Sequence, residues 1–183
     1  MWYTGAGDGG RTKVPSAGEL WKDDALVQAL GDLDELNSVL GLAASIYPRL
    51  RSFLLPIQSE ILAISSELAG FPLGFGEDRV TRLELTLKKF ADEVPELKNF
   101  VLPGGNIGAS TLHLARSVCR RAERSLVRVT REGSLQGVYV KYLNRLSSLL
   151  FVMALWVNLK EGVDEVMWSG SSWKKGIRED SRS

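Results

Sequence analysis

Apolar residues recur every three or four positions along most of the chain, which is the spacing of one face of an α-helix. The pattern predicts five helices, over about 24–47, 50–68, 80–90, 105–132 and 134–161. Asp23 or Asp24 is placed to cap the first helix, and Pro48 follows its end. Gly133 and Gly162 follow the last two helices, where glycine commonly ends a helix.

No segment with a period of two competes with this pattern, so the sequence predicts an all-α fold: a five-helix antiparallel bundle. Residues 1–22 form a glycine-rich N-terminal loop, residues 23–162 form the bundle, and residues 163–183, which lack a period, are predicted to be a disordered tail. The last helix is apolar around most of its circumference. It therefore lies either at the centre of the bundle or at a subunit interface.

Composition limits the classes of function. The 183 residues are 44% hydrophobic and 25% charged with a net charge of +1, which is typical of a globular domain and argues against nucleic acid as a partner. The single cysteine, Cys119, excludes an internal disulfide and a cysteine zinc site, and its apolar neighbours predict a buried thiol. The start of the chain lacks a signal-peptide pattern and no stretch is apolar enough to span a membrane, so we expect a cytoplasmic protein without a membrane partner.

The glycine-rich stretch GAGDGGRT, residues 5–12, approaches two phosphate-binding patterns. It satisfies G-x-G-x-x-G, and it satisfies G-x-x-x-x-G-K-[ST] except that Arg11 replaces the lysine. Both patterns need a buried strand before them and a helix after them, and this stretch has neither. Glycines followed by hydroxyl and basic side chains still suit an anion-binding loop, and a flexible terminus is the alternative.

Arginines form a stripe on the fourth predicted helix, where six occur between Arg116 and Arg131. Arg116, Arg120, Glu123 and Arg124 share one helix face by their spacing. Three interpretations fit this stripe: a solvated face, a nucleic-acid surface and a polyphosphate clamp. Guanidinium groups bind phosphate oxygens in pairs, whereas a nucleic-acid surface would normally carry aromatic residues between the charges.

Polar residues inside two other predicted helices need partners. Asp32, Asp34, Glu35 and Asn37 lie in the first helix, and Asn144 and Arg145 lie in the apolar last helix. An ion pair from Asp34 to an arginine is one interpretation of the first cluster. His113 has leucines on either side and no carboxylate cluster accompanies it, so a packed histidine is expected there. Phosphate binding and positioning therefore fit the sequence better than acid–base catalysis.

Five segments in order resemble the PduO-type ATP:cob(I)alamin adenosyltransferases. They are YTGAGDGGRT, KDDALVQALGDLDELNS, FVLPGG, ARSVCRRAER and YLNRLSSLLF, which together span residues 3 to about 158. The resemblance implies a homotrimer of five-helix bundles with active sites between adjacent subunits. It implies that Co(I) of reduced cobalamin attacks the 5′ carbon of ATP, with Mg²⁺ on the phosphates, to give adenosylcobalamin and triphosphate. A cobalamin reductase and a downstream cobalamin-dependent enzyme are then candidate protein partners.

The resemblance also implies residue roles. Residues 1–22 become the loop around the ATP phosphates, and the ATP-binding residues are Thr4, Gly5, Ala6, Gly7, Asp8, Gly10, Thr12, Lys13, Lys22, Arg120, Glu123, Arg124 and Asn144. Among them Arg120 and Arg124 hold the triphosphate, whereas Glu123 and Asn144 hold the nucleoside. The catalytic residues are Arg120, Arg116 and Asp34, with Arg116 pairing to Asp34 of a neighbouring subunit. Phe100 presses against the corrin and excludes its lower axial ligand.

The sequence departs from the family pattern at three positions. Gly5 stands where the family usually has Lys or Arg, and Arg11 is the residue expected to replace that charge. Ser148 stands where Asp is common, and Gln28 where Glu is common. Besides the enzyme, a cobalamin carrier or ATP sensor of the same fold and a plain structural bundle remain as alternatives.

Overall fold

Five α-helices make up most of the computed structural model, which describes residues 3–132, 137–168 and 173–175. They are α1 (Ala25–Ile46), α2 (Arg51–Leu68), α3 (Glu77–Ala91), α4 (Ile107–Glu132) and α5 (Gly137–Lys160). These bounds agree with the predicted helices to within a few residues at each end. A short 3-10 turn, Pro48–Leu50, leads into α2, and Gly133 lies outside the described residues.

Each helix packs against one or two neighbours in the bundle. In the described structure α5 lies against α3 and α4, and α1 lies against α2 and α4. Half of the 24 residues of α5 are buried within a single chain, which favours the central position over the subunit interface. By length and composition α5 is apolar enough to cross a membrane, so the expectation that no stretch meets that criterion is wrong for this helix. However, 56% of its apolar window is buried inside the bundle, as in the core helix of a globular domain.

Polar side chains fix both ends of this apolar helix. Near its start, Tyr139 donates a hydrogen bond to Glu67 and Tyr142 donates one to Glu60. Burial and the neighbouring carboxylates raise the pKa of both phenols, so each remains a hydrogen-bond donor at neutral pH. Near its end, Asn158 is buried and fully hydrogen-bonded.

A β-hairpin follows the glycine-rich loop. Strands β1 (Arg11–Val14) and β2 (Gly18–Trp21) pair in antiparallel register. Ser16 at the turn anchors the hairpin to the end of α2, because its N–H donates to the Ala69 carbonyl at 3.0 Å and its hydroxyl donates to the Leu68 carbonyl at 2.7 Å. The all-α prediction is therefore wrong for this segment, since four-residue strands are too short to show a period of two.

The end of the chain adds a second small sheet. Strands β3 (Phe100–Val101), β4 (Val166–Trp168) and β5 (Trp173–Lys175) form it in the order β3-β4-β5, with both pairs antiparallel. Gly162 has φ +70 and reverses the chain after α5, as its predicted role requires. The predicted tail therefore contains regular strands at 166–168 and 173–175, where disorder was expected. Residues 169–172 and 176–183 lie outside the described part of the chain.

Candidate functional site

A pocket of about 260 Å³ opens on the surface between α4 and α5. The side chains around it are Arg120, Glu123, Arg124, Val127 and Asn144. Four of them come from α4 at spacings of three and four residues, so they project from one face of that helix. Asn144 projects from α5 towards them. The structure therefore brings together four of the five predicted site residues on these two helices, and Arg116 lies outside this pocket.

A chain of hydrogen bonds orients the polar wall of this pocket. Asn144 Nδ2 donates to Glu123 Oε1 at 3.0 Å, and Arg145 Nη1 donates to Asn144 Oδ1 at 2.8 Å. Arg145 in turn donates through Nε to Glu84 Oε1 at 2.9 Å. Because Arg145 occupies the amide oxygen, the amide nitrogen must face Glu123. The carboxylate of Glu123 retains its second oxygen for a ligand hydroxyl or amine.

The two arginines of the pocket are available to a ligand. Arg120 is exposed and makes no side-chain hydrogen bond or ion pair with any residue the structure describes. Arg124 donates from Nη1 to the Arg120 carbonyl at 3.1 Å, which leaves the rest of its guanidinium group to solvent. A second pocket of about 350 Å³ continues along α4 past Arg124 and is lined by Arg128 and Arg131. The combined groove suits an extended polyanion.

Arg121 faces the opposite side of α4 and serves the bundle. Its guanidinium binds Asp32 at 3.3 Å and also Glu35, both on α1. Asp32 is buried and also accepts hydrogen bonds from Gln28 and Ser125. The predicted helix-to-helix ion pair therefore exists, but it uses Asp32 and Glu35 rather than Asp34.

Arg116 and Asp34 do not meet within the described chain. Arg116 lies above the Phe151 ring of α5, with its Cζ 5.9 Å from the ring centroid, and its buried Nε has no hydrogen-bond partner there. Asp34 lies on the exposed face of α1. His113 packs against the same Phe151 ring and is buried, as predicted. Burial, together with the positive charge of Arg116, lowers the pKa of His113 to about 4, so the ring is neutral at pH 7.

The glycine-rich loop forms two consecutive turns. The Asp8 N–H donates to the Gly5 carbonyl and the Gly10 N–H donates to the Gly7 carbonyl, both at 3.1 Å. Gly5 and Gly10 have φ +72 and +78, a conformation that favours glycine over other residues. Thr4 accepts a weak hydrogen bond from the N–H of Ala6 at 3.4 Å.

Two lysines lie beside this loop, whereas Arg11 is bound to side chains of the hairpin. The Lys22 ammonium lies so close to Gly7 that a Cβ there would approach it to 3.0 Å. Thr12 and Lys13 lie on β1, and Lys13 is exposed. Arg11 instead binds Glu19 at 3.0 Å and stacks 4.8 Å above the Trp21 ring. Among the described residues, no hydrogen bond or ion pair joins the loop to Arg120, Glu123, Arg124 or Asn144.

Phe100 is one of the most exposed aromatic side chains in the described structure, at 78% of its full surface. Its ring lies 6.4 Å from that of Trp168 on β4. An apolar pocket of about 350 Å³ lies nearby in sequence, between the segment 94–97 and Phe151, Val152 and Leu155 of α5. The chain thus combines a polar, basic pocket with an exposed aromatic group and an apolar cavity.

Three residues of this region were missed from the sequence. Val127 lines the arginine pocket, and its helical spacing from Arg120 and Glu123 would have placed it on their face. Phe151 contacts Arg116 and lines the apolar pocket. The sequence does not distinguish it from the apolar residues on either side. Asn158 is a second amide in the same apolar helix as Asn144, and the same reasoning would have selected it.

Comparison with known proteins gives a consistent result. Residues 2–157 match the model of the cobalamin adenosyltransferase family. The chain is 38% identical over 182 residues to a corrinoid adenosyltransferase of Bacillus subtilis, covering 93% of each protein. It is 37% identical over 170 residues to a cobalamin adenosyltransferase of Cupriavidus metallidurans, covering 90% of this chain and 92% of that one.

Solved structures that share the fold of this chain are also adenosyltransferases. A phenylalanine-to-histidine variant of the PduO-type ATP:corrinoid adenosyltransferase from Lactobacillus reuteri, complexed with cobalamin and ATP, is similar with a TM-score of 0.86 and 32% identity. That match covers 94% of this chain and 98% of the other. An arginine-to-lysine variant of the same enzyme, complexed with ATP, has a TM-score of 0.84. With a family match over most of its length and relatives above 30% identity, the chain belongs to the cobalamin adenosyltransferase family, in its PduO type.

Proposed function

We propose that this protein transfers the 5′-deoxyadenosyl group of ATP to the cobalt of cob(I)alamin, giving adenosylcobalamin and triphosphate. The observation that carries the proposal is the pocket between α4 and α5, where two uncommitted arginines face an oriented carboxylate–amide pair. Relatives of this chain are named corrinoid adenosyltransferases, and its structural neighbours were solved with cobalamin and ATP.

The reaction is a single displacement at carbon. The lone pair of Co(I) forms the Co–C5′ bond while the C5′–O bond breaks, and triphosphate leaves with that electron pair. Co(I) is already a strong nucleophile, so the protein does not need a general base. Its tasks are to hold C5′ in line with cobalt and to stabilise the charge of the departing triphosphate.

The site residues divide these tasks by their chemistry. Arg120 and Arg124 donate to phosphate oxygens, which their free guanidinium groups can bind in pairs. Glu123 and Asn144 hold the nucleoside, because a carboxylate accepts from ribose hydroxyls and an amide can recognise a base edge.

The glycine-rich loop closes over the phosphates with backbone N–H groups that its own turns do not use, such as those of Gly5, Gly7 and Gly9. Thr12 adds a hydroxyl, and Lys13 and Lys22 add positive charge. Gly5 stands where the family usually carries Lys or Arg. The positive charge inside the loop therefore comes from Lys22, which lies against Gly7.

Magnesium enters this scheme with the nucleotide. No group of three His, Cys, Asp or Glu side chains within the described ranges is placed to hold a metal. Phosphate oxygens are the ligands that Mg²⁺ prefers in nucleotide sites. The ion would therefore be coordinated by the triphosphate of ATP, and its charge would reduce repulsion as the leaving group departs.

The active unit is proposed to be a homotrimer with sites between adjacent subunits. Two observations support this. Among the described residues no hydrogen bond or ion pair joins the loop to the side chains of the arginine pocket, and the buried Nε of Arg116 has no hydrogen-bond partner while Asp34 is exposed on another helix. A neighbouring copy can supply both the loop and the carboxylate.

Phe100 is assigned to the corrin side of the site. An exposed aromatic ring suits a flat, largely apolar macrocycle, and it can exclude the lower axial ligand and water from the cobalt. Removing that ligand makes Co(I) easier to form. A reaction that uses ATP and a strongly reduced metal also suits the cytoplasm, with a cobalamin reductase upstream and a cobalamin-dependent enzyme downstream.

An anaerobic assay tests the proposal. Purified protein is mixed with ATP, Mg²⁺ and chemically reduced cob(I)alamin, and loss of the Co(I) absorbance is followed. We expect light-sensitive adenosylcobalamin and one triphosphate per turnover. ATP binding without conversion would instead identify a carrier or sensor, and absence of ATP binding would leave a structural bundle.

A further inference from the structure

The segment that carries Phe100 is held by the last turns of α5 and by the chain that follows them. At its start, Glu93 accepts hydrogen bonds from Trp156 Nε1 at 2.9 Å and from Lys160 Nζ at 2.8 Å. At its end, the N–H of Leu102 donates to the Val166 carbonyl of β4 at 2.8 Å.

Asn158 makes three further hydrogen bonds between the end of α5 and the neighbouring segments. Its side chain is buried, and its Oδ1 accepts from the N–H of Asn106 at 2.9 Å. Its Nδ2 donates to the Gly104 carbonyl at 3.1 Å and to Glu165 Oε1 at 2.9 Å. One amide therefore ties the loop before α4 to the chain after α5. Gly105 has φ +93, and a Cβ there would come within 2.3 Å of the Asn158 amide, so the loop backbone lies directly on this side chain.

Part of this arrangement lies beyond the residues that the family model matches. The match ends at residue 157, whereas Asn158, Glu165 and β4 follow it. The exposed ring of Phe100 makes few contacts that would fix its own position, so its placement depends on the backbone around it. That backbone is fixed by β4 on one side and by the Asn158 amide on the other.

We propose that Asn158, with Glu165, is a positioning residue that holds the Phe100 segment in place for the corrin. The proposal rests on the proposed function, because it assumes that Phe100 excludes the lower axial ligand. Asn158 touches neither substrate; it acts through the backbone of residues 102–106.

Four full-length variants test this role. Asn158→Leu keeps the side-chain volume and removes all three amide hydrogen bonds. Asn158→Asp combined with Glu165→Gln reverses the donor and acceptor of the contact between them and keeps the acceptor for Asn106, but it loses the donor to the Gly104 carbonyl. Tyr139→Phe is the control, because it removes a side-chain hydrogen bond about 28 Å away at the other end of α5. Phe100→Ala reports the loss of the ring itself.

The first measurement is hydrogen exchange of residues 98–106 without substrates. We expect Asn158→Leu to speed exchange there by about tenfold or more, since buried polar groups lose their partners. Asn158→Asp combined with Glu165→Gln should restore part of the protection, chiefly at the Asn106 N–H, and Tyr139→Phe should leave this segment unchanged. Unchanged exchange in Asn158→Leu would overturn the proposal. If that variant does not fold, Glu165→Ala, which removes one of the three bonds, replaces it with the same expected direction.

The second measurement is electron paramagnetic resonance of cob(II)alamin bound with ATP, where a coordinated lower-ligand nitrogen splits the cobalt lines. Asn158→Leu should restore that splitting and raise KM for cobalamin while KM for ATP stays within about twofold. Combining Asn158→Leu with Phe100→Ala should add little to Phe100→Ala alone. Additive effects, or a matching rise in KM for ATP, would overturn the proposal. If wild-type protein itself retains the splitting, the role of Phe100 in the proposed function fails, and the exchange result still decides whether Asn158 holds the segment.

Discussion

Arg120 and Arg121 are adjacent arginines on α4 that face different surroundings. The same substitution should therefore lower activity at Arg120 and lower stability at Arg121. Arg120 is exposed and unpaired beside the proposed phosphate site, whereas Arg121 binds the buried Asp32 and Glu35. Each change to alanine removes one positive charge from the same turn of the same helix. Each variant is therefore the matched control of the other.

The structure sets the size of each effect. A charge-assisted hydrogen bond is worth about 1.5–3 kcal/mol, so Arg120→Ala should lower kcat/KM for ATP by about 10- to 150-fold. Because Arg120 is exposed, removing its side chain should change the free energy of unfolding by less than about 0.5 kcal/mol. Arg121→Ala leaves the Asp32 carboxylate buried without its cation. Breaking a fully buried pair costs about 3–5 kcal/mol, and solvent around Arg121 together with the Gln28 and Ser125 contacts reduces this to about 2 kcal/mol.

Two assays separate the variants. The anaerobic Co(I) assay gives kcat/KM for ATP, and thermal unfolding gives stability, where about 2 kcal/mol corresponds to a Tm lower by about 4–8 °C in a domain of this size. Light scattering is used to check that each variant assembles as the wild type does. Wild-type turnover by Arg120→Ala would refute the phosphate role. A loss of turnover in Arg121→Ala at unchanged Tm would refute the assignment of that arginine to the bundle.

Three further predictions follow from the site and its surroundings. Phe100→Ala should slow the cobalt step more than it weakens ATP binding, and a defect confined to ATP affinity, measured by calorimetry, would contradict its assignment to the corrin. The pKa of His113 is about 4 in the folded protein and about 6.5 when unfolded, so its contribution to stability is present above pH 6.5 and is lost as the pH falls towards 4. Lowering the pH from 7 to 5 should therefore destabilise the wild type by about 2 kcal/mol more than His113→Leu in urea unfolding, and equal pH slopes would refute this. Gly105→Ala should cost more than about 1 kcal/mol because of its positive φ and the overlap with Asn158, whereas Gly31→Ala in α1, with open space around it, should stabilise by about 0.5–1 kcal/mol; similar Tm values for the two variants would contradict the crowding at Gly105.

The helices could be predicted from the sequence because their signals are local. Apolar spacing marks each helix and Gly162 marks the end of α5, and the arginine stripe of α4 requires only helical geometry to place Arg120, Glu123 and Arg124 together. Asn144 was identifiable as a polar residue in an apolar helix. The family resemblance, carried by five ordered motifs, was confirmed by the comparisons.

The remaining features depend on contacts between distant parts of the chain. Strand β3 has two residues and exists because β4 pairs with it about 65 positions later, so no local pattern indicates it. The partner of Asp32 could not be chosen among several arginines without knowing which face of α4 meets α1. The pairing of Arg116 with Asp34, which calls for a second copy of the chain, stays a prediction.

The hydrogen bonds along α5 determine its axial register. An apolar helix surrounded by leucines can slide by one turn, about 5.4 Å, and still bury a similar area, so hydrophobic packing alone defines its position along the axis weakly. Such a shift would separate Tyr139 and Tyr142 from their glutamates and Asn158 from its loop at the same time. The polar contacts at the two ends of α5 together hold the register in which Asn144 meets Glu123, and the loss of one contact leaves the others in place. Apolar exchanges along α5 should therefore be tolerated more readily than the simultaneous loss of these polar side chains.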